Sequence, residues 1–195
     1  MIIEGLIGFA DNKKDLFPKL IKFFTGSKNT THTFVTCKCQ EVESVIEAGK
    51  LVQVVPFDSH YRSSKQDDYW LYRINPKKVD EKKIKFALSC VYKSLAGDEY
   101  GTFQLLWFPY RWLMKTVFKK DTKDQNNWFT KGVICSELTY QFLVYCDLGY
   151  LVKDFNANTI QAQDIRDICE SNPDIFQLVS YKDEKGHIEP EFYNG

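Results

Sequence analysis

Apolar and polar positions change rhythm several times along this chain. Residues 2–9 (IIEGLIGF) read as a short strand closed by a turn at Asp11-Asn12. Leu16, Leu20, Ile21 and Phe24 then recur at helical spacing until Gly26, which stops the helix. His32–Cys39 reads as a strand, Gln40-Glu41 as a two-residue turn, and Val42–Ala48 as the returning strand. Gly49-Lys50 is a Gly-X pair suited to a type II′ hairpin and leads into a third strand at 51–55. Residues 56–68 read as a polar loop, and 69–74 (YWLYRI) as one more strand.

The later chain changes to a helical period. After Pro76, Ile84, Leu88, Val91 and Leu95 share one stripe that ends near Gly97. A second helical stretch covers about 102–118, with a kink or break expected at Pro109. Residues 119–131 read as a polar loop. A helix follows from Cys135 to about Cys146, a weaker one covers 159–170, and a final strand covers 175–181. The polar tail from about residue 182 reads as loose. Early strands with helices segregated later define the fold class as α+β.

Composition narrows the picture. A length of 195 residues suits a single domain over 1–195, with a helical insertion around 105–130. Hydrophobic residues at 44% suffice for a packed core, and aromatics at 15% make Phe and Tyr its main bulk. Lys plus Arg equals Asp plus Glu at 26 each, which excludes a dedicated nucleic-acid binder built on phosphate neutralisation. No apolar run is long enough for a transmembrane helix, and the opening MIIEGLIGFADNKK lacks a basic n-region. A cytoplasmic protein, or one exported without a signal peptide, is therefore expected. The six cysteines then read as thiols rather than as a disulfide framework. Cys37 and Cys39 share one side of a strand, and with His32 they make a partial zinc ligand set that lacks a second pair. They read instead as small side chains on a core face, and no metal or cofactor is expected.

One cysteine stands apart. In GVICSEL a short apolar run enters a helix whose inward stripe carries Cys135, Leu138, Phe142 and Cys146. Cys135 sits at the N-terminal edge, where the helix dipole favours thiolate over thiol. Its backbone N–H lacks an intrahelical acceptor and is free to meet an oxyanion. Cys146, three turns deeper, has neither advantage. Glu137, in the first turn, complements the dipole.

A nucleophilic thiolate needs an imidazole and a group to orient it. His60 falls in the polar loop and His187 in the tail, whereas His32 lies on a strand after a Thr-rich turn. If Gln40-Glu41 is a two-residue turn, Phe34 pairs with Glu47, and His32 and Glu47 become diagonal neighbours on one face. A slip of one residue would send Glu47 to the other face.

In this order the segments TGSKNTTHTFV, SVIEAGKLVQVVPF and VICSELTYQFL resemble the permuted papain-like proteins of the NlpC-type superfamily, especially the YiiX-like cysteine hydrolases. The resemblance spans most of residues 2–181. It implies a permuted papain-like fold, an antiparallel sheet or barrel packed against helices. It also implies roles for Cys135 as nucleophile, His32 as general base and acid, and Glu47 as the residue orienting the imidazole. Tyr100 resembles a tyrosine that the family places near its active site. The stretch between Tyr100 and Cys135 is longer than the family pattern. Arg111, Lys115 and Lys119 recur there every four residues, a basic stripe that suits either a solvated face or a peripheral membrane contact through 107–120.

The function expected from the resemblance is hydrolysis of an amide or peptide bond, of the cell-wall peptide or isopeptide type, through an acyl-enzyme. A lipid thioesterase or acyltransferase of the same superfamily is the alternative, and a catalytically silent binding module is the third. The expected partner is thus a peptide or acyl substrate.

Overall fold

The structure is a computed structural model that describes residues 3–12, 16–64, 67–101, 106–120, 132–183 and 186–188. In chain order its elements are β1 (Ile7–Asn12), α1 (Leu16–Thr25), β2 (His32–Cys39), β3 (Val42–Ala48), β4 (Val52–Pro56) and β5 (Asp67–Ile74). They continue with α2 (Glu81–Leu95), α3 (Trp107–Thr116), α4 (Cys135–Tyr145), α5 (Ala162–Ser171), β6 (Phe176–Asp183) and β7 (Gly186–Ile188). The strands form one antiparallel sheet in the order β4-β3-β2-β1-β5-β6-β7. The class is α+β, as the sequence predicts.

The β2–β3 hairpin is set by its turn. Gln40 and Glu41 both take positive φ, 49° and 64°, the conformation of a type I′ connection. The register that results pairs Phe34 with Glu47. Because side chains alternate, the sheet carries two cores. One face, with Phe9, Val35, Ile46 and Tyr72, packs under α2, α4 and α5. The other face, with Phe34, Val45, Val55, Tyr69 and Leu71, is closed by Phe57 and Tyr61.

Those two aromatics correct the loop expected at 56–68. Pro56 ends β4, Asp58–Arg62 forms a single wide helical turn, and β5 begins at Asp67. The ring of Tyr61 stacks on Phe34 with centroids 4.3 Å apart. Lys182 holds this turn in place, its Nζ donating to the carbonyls of Tyr61 (2.7 Å), Arg62 (3.2 Å) and Ser64 (2.6 Å).

Other boundaries move for tertiary reasons. Asp11 and Asn12 pair with Asp68 and Asp67 inside the sheet and do not form a turn. The Gly49-Lys50 hairpin is not a two-residue II′ turn, since Ala48 pairs with Val52 across a three-residue connection. Residues 97–100 draw that chain aside: Val52 N–H donates to Asp98 O and Tyr100 N–H to Lys50 O. Pro109 is the third residue of α3, where no intrahelical N–H is required, so it starts the helix and does not break it. Of the tail, residues 182–183 and 186–188 belong to the sheet through β6 and β7, and those from 189 onward lie outside the described residues. Cys37 is buried but Cys39, at the strand end, is exposed. Residues 102–105 and 121–131, which include much of the expected insertion, lie outside the described residues.

Gly132 fixes the approach to α4. It has φ +86°, and a Cβ there would lie 2.4 Å from the backbone oxygen of Glu99. That closeness lets Val133 N–H donate to Glu99 O and Gly101 N–H to Val133 O, placing Tyr100 next to the start of α4. Gly132→Ala is expected to cost about 2–4 kcal/mol, from the left-handed backbone and the collision together. Urea unfolding measures this, and an unchanged midpoint would show that residues 99–101 yield freely.

Candidate active site

Four side chains converge where the start of α4 meets the start of β2. The helix is pinned there by hydroxyls: Thr33 Oγ1 lies 3.1 Å from Thr139 Oγ1 and donates to Gly8 O at 2.9 Å. Ser136 Oγ donates to Ile160 O at 2.6 Å. These buried bonds bring Cys135 to His32, which neighbours Thr33 in the strand.

Cys135 is buried and hydrogen-bonded to His32, and it accepts from the backbone N–H groups of Thr33 and Ser136. Burial alone would raise its pKa. The imidazolium charge and these donors outweigh burial, so the thiol lies below its ordinary value. His32 shows the opposite balance. Burial opposes its charge, but the Cys135 thiolate and then Glu47 hold its pKa up at about 10. The two directions agree, and both favour a thiolate–imidazolium pair over the neutral thiol and imidazole.

Glu47 secures the far side of the ring. Its Oε2 lies 3.3 Å from His32 Nε2, which leaves the other ring nitrogen for the thiol. Tyr61 donates its phenol to the same oxygen, and His60 Nε2 lies 3.9 Å from Oε1. Burial pushes this carboxyl up, yet His32, Tyr61 and His60 together hold it down at about 2. A buried carboxylate engaged on both oxygens is a fixed charge.

Tyr100 completes the group. Burial and the neighbouring thiolate raise its pKa well above the ordinary tyrosine value, so it remains a neutral phenol hydrogen-bonded to Cys135. The structure therefore brings together Cys135, His32, Glu47 and Tyr100. Tyr61 and His60 were not foreseen. Their signal is the spacing of Phe57 and Tyr61, one helical turn apart in an otherwise polar stretch.

Cys135 also lines a narrow pocket with Ile21, Thr25, Tyr100, Phe108 and Gln161, with about 20 Å³ open to the centre of a water molecule. It adjoins a wider groove of about 480 Å³, with which it shares Thr25, Phe108 and Gln161. Among the described residues no three His, Cys, Asp or Glu side chains are placed to hold a metal ion.

Fold and site together define an α+β protein in which an open antiparallel sheet presents a histidine and a glutamate to a cysteine at a helix start. In fold it is similar to the protein described as metalloprotein yiiX from Escherichia coli O157:H7. The crystal structure of that protein matches with a TM-score of 0.52 at 15% identity, over 82% of this chain and 85% of that one. No protein-family model and no curated protein matches the chain. The described residues offer no ligand set corresponding to the metal in that neighbour's description. No helix among them is long and apolar enough to cross a membrane.

Proposed function

We propose that this protein is a permuted papain-like cysteine hydrolase that cleaves amide or ester bonds through Cys135, His32 and Glu47. What supports this most is the placement of buried Cys135 beside His32 and Glu47 at the wall of a pocket, with the thiol pKa pushed down and that of the imidazole pushed up. A structural cysteine shifts the other way: burial pushes Cys146 up to about 12.

The Cys135 sulfur attacks the substrate carbonyl carbon, and the developing oxyanion meets the Cys135 N–H. As the S–C bond forms and the C–N or C–O bond breaks, His32 gives its proton to the leaving group. Neutral His32 then takes a proton from water, whose oxygen attacks the thioester carbonyl. The S–C bond breaks, and thiolate and imidazolium are restored. Glu47 holds the ring in orientation and offsets its charge in both steps. Tyr100 donates to the resting thiolate and releases it to the carbonyl carbon.

This chemistry serves a cell-wall-type peptide or isopeptide as well as an acyl lipid. The groove beside the pocket, lined by Phe24, Phe108, Trp112, Arg111, Lys115 and Lys119, favours the lipid reading because it joins apolar surface to cations. Incubation with a p-nitrophenyl acyl ester is expected to give a nitrophenolate burst and one acyl adduct, on Cys135, by intact and peptide mass spectrometry. Cys135→Ala is expected to give neither. A wild type that forms no adduct and shows no turnover would move the protein to the silent binding module.

A further inference from the structure

The chain as a whole is electrically neutral, but its charge is unevenly placed. Residues 16–25 and 106–120 contain six cations (Lys19, Lys22, Arg111, Lys115, Lys119 and Lys120) and no carboxylate. These segments are α1 and α3 with its following residues, and they pack together through Phe23 and Phe24 on Trp112, with centroids 5.6 and 5.9 Å apart. One cation is committed to the fold, since Lys22 Nζ meets the buried Asp11 at 2.5 Å and ties α1 to β1. Arg111, Lys115 and Lys119 line the groove, whose described lining includes no acidic residue.

The same pair of helices exposes apolar bulk. Leu20, Phe23, Leu106, Leu113, Val117 and Phe118 are between 42% and 62% exposed. Large aliphatic and aromatic side chains interspersed with lysine and arginine match an interface where hydrocarbon lies below a layer of negative headgroups. Base stacking would use only the rings and leave Leu106, Leu113 and Val117 without a role. The groove on this face opens beside the pocket of Cys135, sharing three of its lining residues.

We infer that the α1–α3 face docks on an anionic membrane surface and lays the mouth of the Cys135 pocket against the lipids. Resting on the hydrolase reading, this makes the ester or thioester of a membrane acyl lipid the substrate class. The exposed apolar side chains enter the headgroup boundary while Arg111, Lys115, Lys119 and Lys120 meet the phosphates. An acyl lipid reaches the thiolate by way of the groove, without leaving the interface entirely.

The test is co-sedimentation of the full chain with phosphatidylcholine vesicles, with and without phosphatidylserine, at low and high salt. Binding is expected only with phosphatidylserine and is expected to fall with salt. Arg111→Glu with Lys115→Glu should weaken it about tenfold or more. Val117→Ser with Phe118→Ser, both at exposed positions outside the Phe23–Trp112 packing, should weaken it by a similar factor while leaving the unfolding midpoint unchanged. Inorganic phosphate at matched ionic strength should not compete. Several results would overturn the docking: equal binding to both vesicles, no binding to either, full competition by phosphate, or a stable dimer whose formation hides Phe23 and Phe118 from solvent. So would tight retention on single-stranded DNA that the same variants abolish, which would assign the face to nucleic acid. Alkylation of Cys135 without vesicles separates the two claims. A reactive Cys135 with no vesicle binding removes the docking and keeps the hydrolase. Vesicle binding with an inert Cys135 keeps the docking and removes the substrate assignment.

Discussion

His32→Ala is expected to slow iodoacetamide alkylation of Cys135 at pH 6 by about a hundredfold, while the other five cysteines change little. The imidazolium is the charge that offsets burial of the thiolate, and without it only the Tyr100 phenol and two backbone donors are left to oppose burial. Cys37 and Cys146, each pushed up to about 12 by burial, serve as internal standards that stay unreactive at this pH. The sign of the pH dependence follows from the same shifts. His32 has its ordinary value of 6.5 raised to about 10, so its contribution to stability is complete below 6.5 and is lost as pH rises through 10. Glu47, lowered from 4.5 to about 2, contributes above 4.5 and loses that contribution as pH falls towards 2. On the hydrolase reading turnover needs both the thiolate and the imidazolium, so it should hold through neutrality and decline near pH 10. Equal Cys135 labelling in wild type and His32→Ala would dissolve the pair and the mechanism with it.

Glu47→Gln is expected to cut turnover about tenfold to a hundredfold and to bring the alkaline limb down by about one pH unit or more. The amide keeps the shape of the side chain but removes the negative charge facing His32 Nε2 and the anionic acceptor of the Tyr61 phenol. The imidazolium then depends on the thiolate alone. Tyr61→Phe makes the contrast, because it leaves the carboxylate charged. Its alkaline limb should stay close to that of wild type, with turnover lowered about threefold through a less firmly held carboxylate. Glu47→Ala should also destabilise the fold by about 3 kcal/mol, since it strands a partly buried imidazolium and the buried Tyr61 phenol. A pH profile unmoved by Glu47→Gln would make Glu47 a packing residue of the sheet.

The parts of this geometry legible in the sequence are those governed by neighbours along the chain. The β2–β3 register follows from a two-residue turn and strict alternation, and it places His32 and Glu47 on one face without reference to anything else. The stripe of Cys135, Leu138, Phe142 and Cys146 spans three helical turns, enough for its period to declare itself. The turn at Asp58–Arg62 leaves only the single Phe57–Tyr61 spacing as its trace, so Tyr61 and His60 stayed hidden in a polar stretch. Asp11 and Asn12 are polar residues held in a strand by partners on β5, and the connection at 49–51 is shaped by residues 97–100. Both depend on chain some 50 residues away, beyond the reach of local pattern. The pocket wall from the start of α5 was missed for the same reason. Gln161 and Gln163 have no distinctive pattern of their own.

The contacts that assemble the site differ greatly in range. His32 and Glu47 are 15 residues apart on one hairpin, whereas Thr33 and Thr139, whose hydroxyls seat α4 on β2, are 106 apart. A chain emerging from the ribosome can close the hairpin early, but the cysteine that completes the constellation comes 88 residues after Glu47, and its helix docks only across that long span. On the hydrolase reading, the acid–base half of the site thus waits, chemically idle, for its nucleophile. The lowered thiol pKa that would make Cys135 reactive is conferred at the moment of docking and not before, so the growing chain carries an ordinary cysteine for as long as it is unfolded.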